Sequence, residues 1–410
     1  MNVTTRQNCR LCATPFDDPF LHFPRLPVAG VYLRKDELGG EPCAPLSVHS
    51  CRSCGLVQLA QEVSQDFYRE YRFSGGHSAR YRSHVANVAQ VVQSLDLPAG
   101  SLIVEVGSND GTLLRCMGGA GYEVIGFEPA RTFDDDQPPT QVRVIHDFFS
   151  QAALEEHGVE QADVLVARHV LEHVSGLDDF VSAIRQVLVP GGWVVLEVPD
   201  AVSLHRGGVV TNFLHEHAVY FAADTLTELM TRHGFSHVRS TWVEAHCGSI
   251  LAIYRKDRPQ AASEVAPQLA ERIGPAAWTD FARRAGTYLE CFGELLQSLR
   301  VDGPVVGYGS AQRTTTLIGM AGLSEGAFDY FVDKNPNHHG LYLPAVHRPI
   351  HSPDRLVQEM PRHAVILAQS FEEEIVEENE EYLQRGGTLV STRDAALHSV
   401  NSLRARVIAT

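Results

Sequence analysis

The sequence predicts an α/β protein in which a small cysteine-bearing module precedes two doubly wound, largely parallel sheets. Three observations carry this expectation. Two Cys-x-x-Cys pairs, Cys9-Arg10-Leu11-Cys12 and Cys51-Arg52-Ser53-Cys54, stand close to the amino terminus. From Ser101 onward, apolar runs that end in glycine or proline turns alternate with helix-forming stretches. A second strand, glycine turn and helix start open at Pro304. At about 150 residues per domain, 410 residues make two or three domains, each long enough to bury a core. The features divide the chain into residues 1–66, 67–255 and 256–410.

Hydrophobic residues make up 44% of the chain and charged residues 20%, with no biased tract, which excludes a fibrous or disordered protein. The 34 basic and 50 acidic residues give a formal charge of -16 and form no basic stripe, so nucleic acid is not an expected partner. No apolar run reaches the roughly 18 residues of a membrane span, and the first residues hold no apolar signal core. A cytoplasmic monomer or homodimer acting on a small molecule is the expectation.

Each cysteine pair can present two thiolates to one tetrahedral zinc. The 38 residues between Cys12 and Cys51 exceed the usual ribbon spacing of ~15–20, but a longer hairpin accommodates them. With sulfur in all four positions no place remains for water, so Cys9, Cys12, Cys51 and Cys54 predict a structural Zn2+ that holds together a segment lacking its own core. Cys43, Cys116, Cys247 and Cys291 read as small buried hydrophobes.

In the central part, Ser101-Leu102-Ile103-Val104-Glu105-Val106 followed by Gly107-Ser108-Asn109-Asp110-Gly111 reads as a buried strand, a glycine turn and a helix start. A second strand, residues 122–127, ends in Glu128, about 20 residues after the turn, where a carboxylate can accept from both ribose hydroxyls. The turn lacks the G-x-G-x-x-G that cradles a pyrophosphate, so a nucleoside without phosphates fits better. Residues 144–149, 162–167 and 187–199 continue the alternation. This order resembles the class I S-adenosylmethionine-dependent methyltransferases. The resemblance implies a cofactor site of Glu105, Gly107, Asn109, Asp110 and Glu128, with Asp147 and Phe148 flanking the adenine and His169 beside them.

Of the 20 histidines, three clusters fall where loops at the carboxyl ends of strands converge on the ligand crevice. His169-Val170-Leu171-Glu172-His173 matches the H-x-x-E-H zinc signature. It follows directly on the fourth strand of a methyltransferase-like core, however, and His173 reads as a pocket residue. His215-Glu216-His217 sets a carboxylate between two histidines, an arrangement suited to an oriented general base in preference to a metal. His246-Cys247-Gly248-Ser249 is a polar turn feeding a strand that would close the same pocket.

Residues 256–300 read as a helical connection to a second nucleotide-type, Rossmann-like fold. Its turn Gly307-Tyr308-Gly309-Ser310, with Arg313 adding charge, suits a diphosphate at a helix amino terminus, and His347 is placed at the interdomain face. The run Phe371–Glu381 reads as a solvated helix face.

Taken in order, the four-cysteine module, G-S-N-D-G, H-E-H, H-C-G-S and the segments Gly307–Ala311, Val332–Asn337 and Ile366–Phe371 resemble the sugar C-methyltransferases of antibiotic biosynthesis over nearly the whole chain. The resemblance implies S-adenosylmethionine as methyl donor and a nucleoside-diphosphate-linked 4-keto-deoxyhexose as acceptor. Its carbon 3 would lose a proton, and the enolate would attack the methyl sulfonium. The base carried over is His217, with Glu216 orienting it or contacting substrate. His173 and either Tyr68 or Tyr71 would be pocket contacts, since the tyrosine aligns in two registers. His215, His246, Tyr308, Arg313 and His347 would meet the substrate. The chain departs from the family pattern at Leu214, where a tyrosine is usual, at Arg313 and His339, where lysines are usual, and at Cys247, where a glycine is usual. Together these changes point to a divergent member whose acceptor carries a different functional group or is not a 4-keto-hexose.

Overall fold

The computed structural model describes residues 3–64, 66–69, 79–130, 142–244, 248–257, 272–392 and 407–408. The amino-terminal module consists of β1 (Val3–Thr5), β2 (Leu21–Pro27), β3 (Cys43–Ser50), β4 (Val57–Leu59) and β5 (Gln61–Val63). Both cysteine pairs form tight knuckles, closed by Ala13 N to Cys9 O and Gly55 N to Cys51 O. Helices α1 (Asp66–Arg69) and α2 (Ala79–Gln93) lead into the next domain.

The central domain contains β6 (Leu102–Val106), β7 (Glu123–Phe127), β8 (Val142–Ile145), β9 (Ala162–Arg168), β10 (Leu188–Pro199), β11 (Val219–Tyr220), β12 (Phe235–Val243) and β13 (Ser249–Lys256). Seven of these strands form one sheet in the order β12-β13-β10-β9-β6-β7-β8. Strands β6 to β10 run parallel, while β13 is antiparallel to β10. Their centres are apolar on both faces, as a parallel sheet covered by helices requires. The covering helices are α3 (Thr112–Gly119), α4 (Gln151–His157), α5 (Leu177–Val187), α6 (Ala201–Gly207) and α7 (Ala223–Arg232). Ser150 and Asp200 cap α4 and α6 by accepting from amides of their first turns. Because the strand order reverses between β6 and β9, the loops that follow them diverge and open a crevice at their carboxyl ends.

One strand breaks the expected partition. β11 lies within the sequence of the central part, yet it pairs antiparallel with β4 and completes a sheet of order β11-β4-β3-β2. The reason is burial. Val219 and Tyr220 are buried, and β4 offers an edge on which they can satisfy their backbone groups, while Phe221 beyond them bridges to Asp200.

The carboxyl-terminal domain repeats the doubly wound plan with β14 (Val305–Tyr308), β15 (Tyr330–Val332), β16 (Tyr342–Leu343), β17 (Arg348–His351), β18 (His363–Ile366), β19 (Thr388–Ser391) and β20 (Val407–Ile408). Their order is β16-β17-β15-β14-β18-β19-β20, again with a reversal beside the first strand. Helix α8 (Pro275–Arg300) joins the domains and α9 (Gln312–Met320) follows the glycine turn. Among the described residues no helix is long and apolar enough to cross a membrane.

The amino-terminal module has no core to itself. Leu21, Leu46, Val48 and Leu59 share one apolar cluster with Phe213 of the central domain, α8 and the second nucleotide-type sheet. At its middle, Phe20 stacks on Trp278 at 5.0 Å, and Phe213 and Phe281 meet both rings edge-on. Truncating this shared ring should therefore loosen all three parts together: Trp278→Ala is expected to cost about 3–5 kcal/mol, read as a lower urea midpoint in a single transition.

Candidate active site and metal centre

The first crevice is shaped by the turn after β6. Gly107 has φ of 69°, and a Cβ there would lie 2.5 Å from Val170 Cγ2, so only glycine lets the turn pass under the next loop. Glu128, following β7, is held by two backbone amides: Asn109 N donates to Oε2 at 2.7 Å and Ala130 N to Oε1 at 2.9 Å. Burial pushes its pKa up, and those two amides oppose the shift. Each oxygen retains a lone pair for a hydroxyl, which fits a ribose. Glu105 is completely buried, which drives its carboxyl up to about 8 against the pull of Arg168. Its Oε2 makes no hydrogen bond among the described residues, leaving a polar atom for a ligand. Gly107, Asn109, Phe148 and His169 line the same cleft.

Two predicted cofactor residues are placed otherwise. Asp110 accepts from Thr112 N and Oγ1 at the start of α3 and acts on that helix, since a carboxylate is favourable beside free amides. Asp147 accepts from Phe148 N and faces Glu156 and His157, away from the cleft. His169 adopts φ of 52° and sits between Glu172 Oε1 and Glu197 Oε1, both at 3.2 Å. Burial opposes its charge, but Glu197 and Glu172 outweigh it and raise the imidazole to about 9. Residues Leu171–His173 form a single 3-10 turn and His169 faces Glu197, so the H-x-x-E-H string does not make the two-histidine zinc site of a helix.

The H-E-H loop meets this turn. His173 Nδ1 lies 2.8 Å from Glu216 O, and because a carbonyl only accepts, Nδ1 carries the hydrogen and Nε2 is left basic. Tyr68 Oη donates to the same carbonyl at 2.9 Å. The His173 and His217 rings meet edge to face at 4.8 Å. Glu216 Oε1 is 3.8 Å from His217 Nε2, while Oε2 accepts from Gln312 Nε2 at 3.2 Å. Burial drives the Glu216 carboxyl up to about 8, reinforced by Glu172 and opposed by Gln312. One ligand atom each from Glu172, His173 and His217 lies within 4.8 Å of the others, a spacing open to a cation as well as to acid–base work.

A single cleft of about 2980 Å³ runs from Glu105 and Glu128, past His173, Glu216 and His217, to Gly309, Gln312 and Arg313 of the carboxyl-terminal domain. At that far end Gly309 has φ of 102°, and a Cβ would meet Ala368 Cβ at 2.6 Å. Ser310 N and Oγ both donate to Asp333 Oδ2 at 2.7 Å, as Asn109 does to Glu128 in the first crevice. Tyr308 lines the cleft, but its hydroxyl is held by Asn379 Nδ2.

Of the remaining predicted contacts, two turn away. His215 is buried with Nε2 3.2 Å from Ala44 O, so it ties the loop to β3 and does not line the cleft. His347 bridges Glu41 of the amino-terminal module and Glu325 of the carboxyl-terminal domain at 2.8 Å each, at the interdomain face as expected but outside the cleft. His246, Cys247 and Tyr71 lie outside the described residues. The cleft residues that the sequence reading did not assign include Gln312, Glu172 and Tyr32. Gln312 stands between the quoted segment Gly307–Ala311 and Arg313, and Glu172 inside the H-x-x-E-H string. Tyr32, whose ring stacks on His338 and whose hydroxyl donates to Ser310 O, carried no signal at all.

In the amino-terminal module the four sulfurs of Cys9, Cys12, Cys51 and Cys54 lie within 4.8 Å of one another, with Cys9–Cys54 at 3.5 Å and Cys12–Cys51 at 3.4 Å. A tetrahedral zinc with bonds of ~2.3 Å spaces its sulfurs about 3.8 Å apart, so the cluster fits one ion. Leu11 N and Gln58 Nε2 point at Cys9 Sγ and favour a thiolate there. The metal would have no open position and supplies folding energy, not chemistry.

Family models match the chain in three consecutive pieces: a zinc binding domain over residues 9–67, a methyltransferase domain over 72–240 and a C-methyltransferase C-terminal domain over 244–392. The chain is 28% identical over 397 residues to C-methyltransferase NovU of Streptomyces niveus, covering 93% of this chain and 94% of that one. It is 26% identical over 154 residues to the mitochondrial ubiquinone biosynthesis O-methyltransferase of Homo sapiens, covering 33% of this chain and 42% of the relative. Among solved structures, magnesium protoporphyrin IX methyltransferase (ChlM) from Synechocystis PCC 6803 with bound SAH matches at 13% identity and a TM-score of 0.36, over 47% of this chain and 92% of that one.

Removing the carboxylate that the two amides hold takes away the pair of acceptors that suits a ribose. Glu128→Ala is expected to weaken S-adenosylhomocysteine binding by roughly tenfold or more, measured by calorimetry, with the zinc content unchanged.

Proposed function

We propose that this chain, an S-adenosylmethionine-dependent C-methyltransferase related to NovU, methylates the carbon beside the ketone of a nucleotide-linked keto-deoxysugar. The observation that carries the reading is the continuous cleft, with the histidine and carboxylate pair of His217 and Glu216 midway between two nucleotide-type turns. One turn suits the nucleoside of the cofactor and the other the diphosphate of the acceptor. S-adenosylmethionine, when bound against Glu105, Gly107 and Glu128, supplies an electrophilic methyl group.

The protein's own work is proton transfer. A carbon next to a ketone becomes nucleophilic only after losing a proton, and a histidine is the side chain whose ordinary pKa suits that task near neutrality. His217 takes the proton. Its ring is braced by His173, which is fixed in turn by the Glu216 carbonyl. Negative charge then grows on the ketone oxygen and needs a donor. Glu216, pushed up to about 8, is mostly protonated at neutral pH. With Gln312 donating to Oε2, its proton resides on Oε1, the oxygen nearer His217. Glu216 thus acts as a neutral acid beside the base. Arg313, lining the far end of the cleft, receives the diphosphate.

A second reading rests on Leu214. This side chain lines the cleft where the resemblance leads one to expect a hydroxyl, so an apolar wall faces part of the acceptor. An acceptor that is a carbon acid but carries no polar group at that position would suit it. Titrating dTDP and UDP into protein loaded with S-adenosylhomocysteine separates the two: a calorimetric response to a nucleoside diphosphate supports the activated sugar, and none supports a free acceptor.

Two outcomes are expected. His217→Ala should leave S-adenosylhomocysteine affinity nearly unchanged, lower turnover by ~10²-fold or more, and abolish solvent-deuterium exchange at the acceptor carbon in the absence of methyl donor. Turnover of the unsubstituted enzyme should fall as pH rises through about 8, where Glu216 loses its proton. Glu216→Gln, which keeps a neutral donor, should show no decline in that window, checked by a pH–rate profile.

A further inference from the structure

Gln58 is fully buried in the middle of β4 and belongs to neither the cysteine motifs nor the H-E-H string. Its backbone pairs with Val219 of β11, two residues after His217, and the neighbouring Leu59 N donates to Ala218 O at 3.0 Å. Its side chain reaches the cysteine cluster. Nε2 donates to Cys9 Sγ at 3.0 Å, and Oε1 accepts from Arg10 N, inside the first knuckle, at 2.9 Å. Arg10 closes the circuit by donating to Leu59 O and to Glu62 Oε1. One residue thus holds a zinc ligand with its side chain and the strand behind His217 with its backbone.

That strand has little stability of its own. β11 has only two residues, and an edge strand so short takes its register from the strand it pairs with. β4 in turn has three residues and is anchored at its centre by the bonds of Gln58 and Arg10 to the first knuckle. A zinc-bound Cys9 is fixed in space and is a thiolate, the better acceptor for Gln58 Nε2. The second tie of the loop, His215 Nε2 to Ala44 O, runs to β3 of the same sheet. The cofactor residues Glu105, Gly107 and Glu128 stand on or after β6 and β7, in a different sheet.

We propose that Gln58 is a positioning residue that couples zinc occupancy of the four-cysteine cluster to the placement of His217, and leaves the cofactor site independent of the metal. Its consequence for turnover rests on His217 being the base, but the placement itself is measured without that assumption.

The test uses full-length protein labelled with 13C-histidine, with His217→Gln identifying the His217 ring signal. Gln58→Met keeps the length of the side chain and removes its donor and acceptor. In this variant, and in wild-type protein stripped of zinc by a chelator, the His217 signal should move. Amide exchange at residues 215–220 should rise by about tenfold or more, while S-adenosylhomocysteine still binds within about twofold of its original affinity. Zinc added back should restore the stripped wild type but not Gln58→Met. An unmoved His217 signal with unchanged exchange, in zinc-loaded Gln58→Met or in the stripped protein, would overturn the coupling. So would loss of S-adenosylhomocysteine binding in both, which would mean general unfolding. Should His217→Ala retain acceptor-carbon exchange while the His217 signal moves as expected, the base assignment fails and the positioning stands. The reverse pattern removes the positioning alone.

Discussion

The arrangement of this molecule depends on an antiparallel pairing of two very short strands, β4 from the amino-terminal module and β11 from the central domain. Neither can persist alone. A module of knuckles and small sheets lacks the apolar volume to offset its own conformational entropy, and a two-residue strand has no independent stability. Pairing solves both problems and commits the chain to a particular geometry. The loop of His215, Glu216 and His217 must then begin at the aromatic cluster around Trp278 and end at the zinc module's sheet. The histidine loop is therefore held from both ends by parts of the chain far from it in sequence.

Once the loop is held, burial sets the chemistry. Glu105, Glu197 and Glu216 are all removed from water, yet they are not equivalent. Burial alone would raise all three. Glu197 is met by His169, His84 and Arg168, which together bring it well below the usual carboxylate range. Glu105 and Glu216 have weaker compensation and rise to about 8. A carboxyl in such a position can donate a hydrogen bond at neutral pH, a role closed to an ordinary glutamate. The same desolvation leaves His173 less basic than a free histidine, with Glu172 and the Glu216 carbonyl opposing that shift. The middle of the cleft thus gathers buried carboxyl and imidazole groups, and each of its ends opens on a glycine turn.

The two doubly wound sheets build those ends by the same local device. In each, a glycine with positive φ follows the first strand, and a carboxylate after the adjacent strand accepts from an amide of that turn. The device works because the strand order reverses beside the first strand, which clears space over the carboxyl ends. In the first sheet the carboxylate keeps lone pairs for a ligand. In the second, Asp333 is further engaged by His338 and Asn335, and it serves mainly to shape the turn.

Local signals were enough for much of this. The cysteine pairs, the glycine turns and Glu128 each depend on residues close in sequence, where spacing alone dictates what can meet. That His217 and Glu216 line the cleft was likewise legible, because their loop follows a strand whose carboxyl end opens on the crevice. Where the sequence reading went astray, in Asp110, Asp147, His215 and His347, each residue has the right chemistry beside a motif. A side chain's direction, however, is decided by what packs against it. Gln58, Gln312 and Tyr32 could not be read at all, since a buried amide or phenol acquires meaning only from a partner brought by another domain. The sequence by itself determined the order of the parts, the two doubly wound sheets and the glycine turn after the first strand of each, because periodicity and turn chemistry are local. Only the tertiary structure decided that the zinc module holds the histidine loop, because that pairing joins strands too short to announce themselves and is stable only when all three parts are packed.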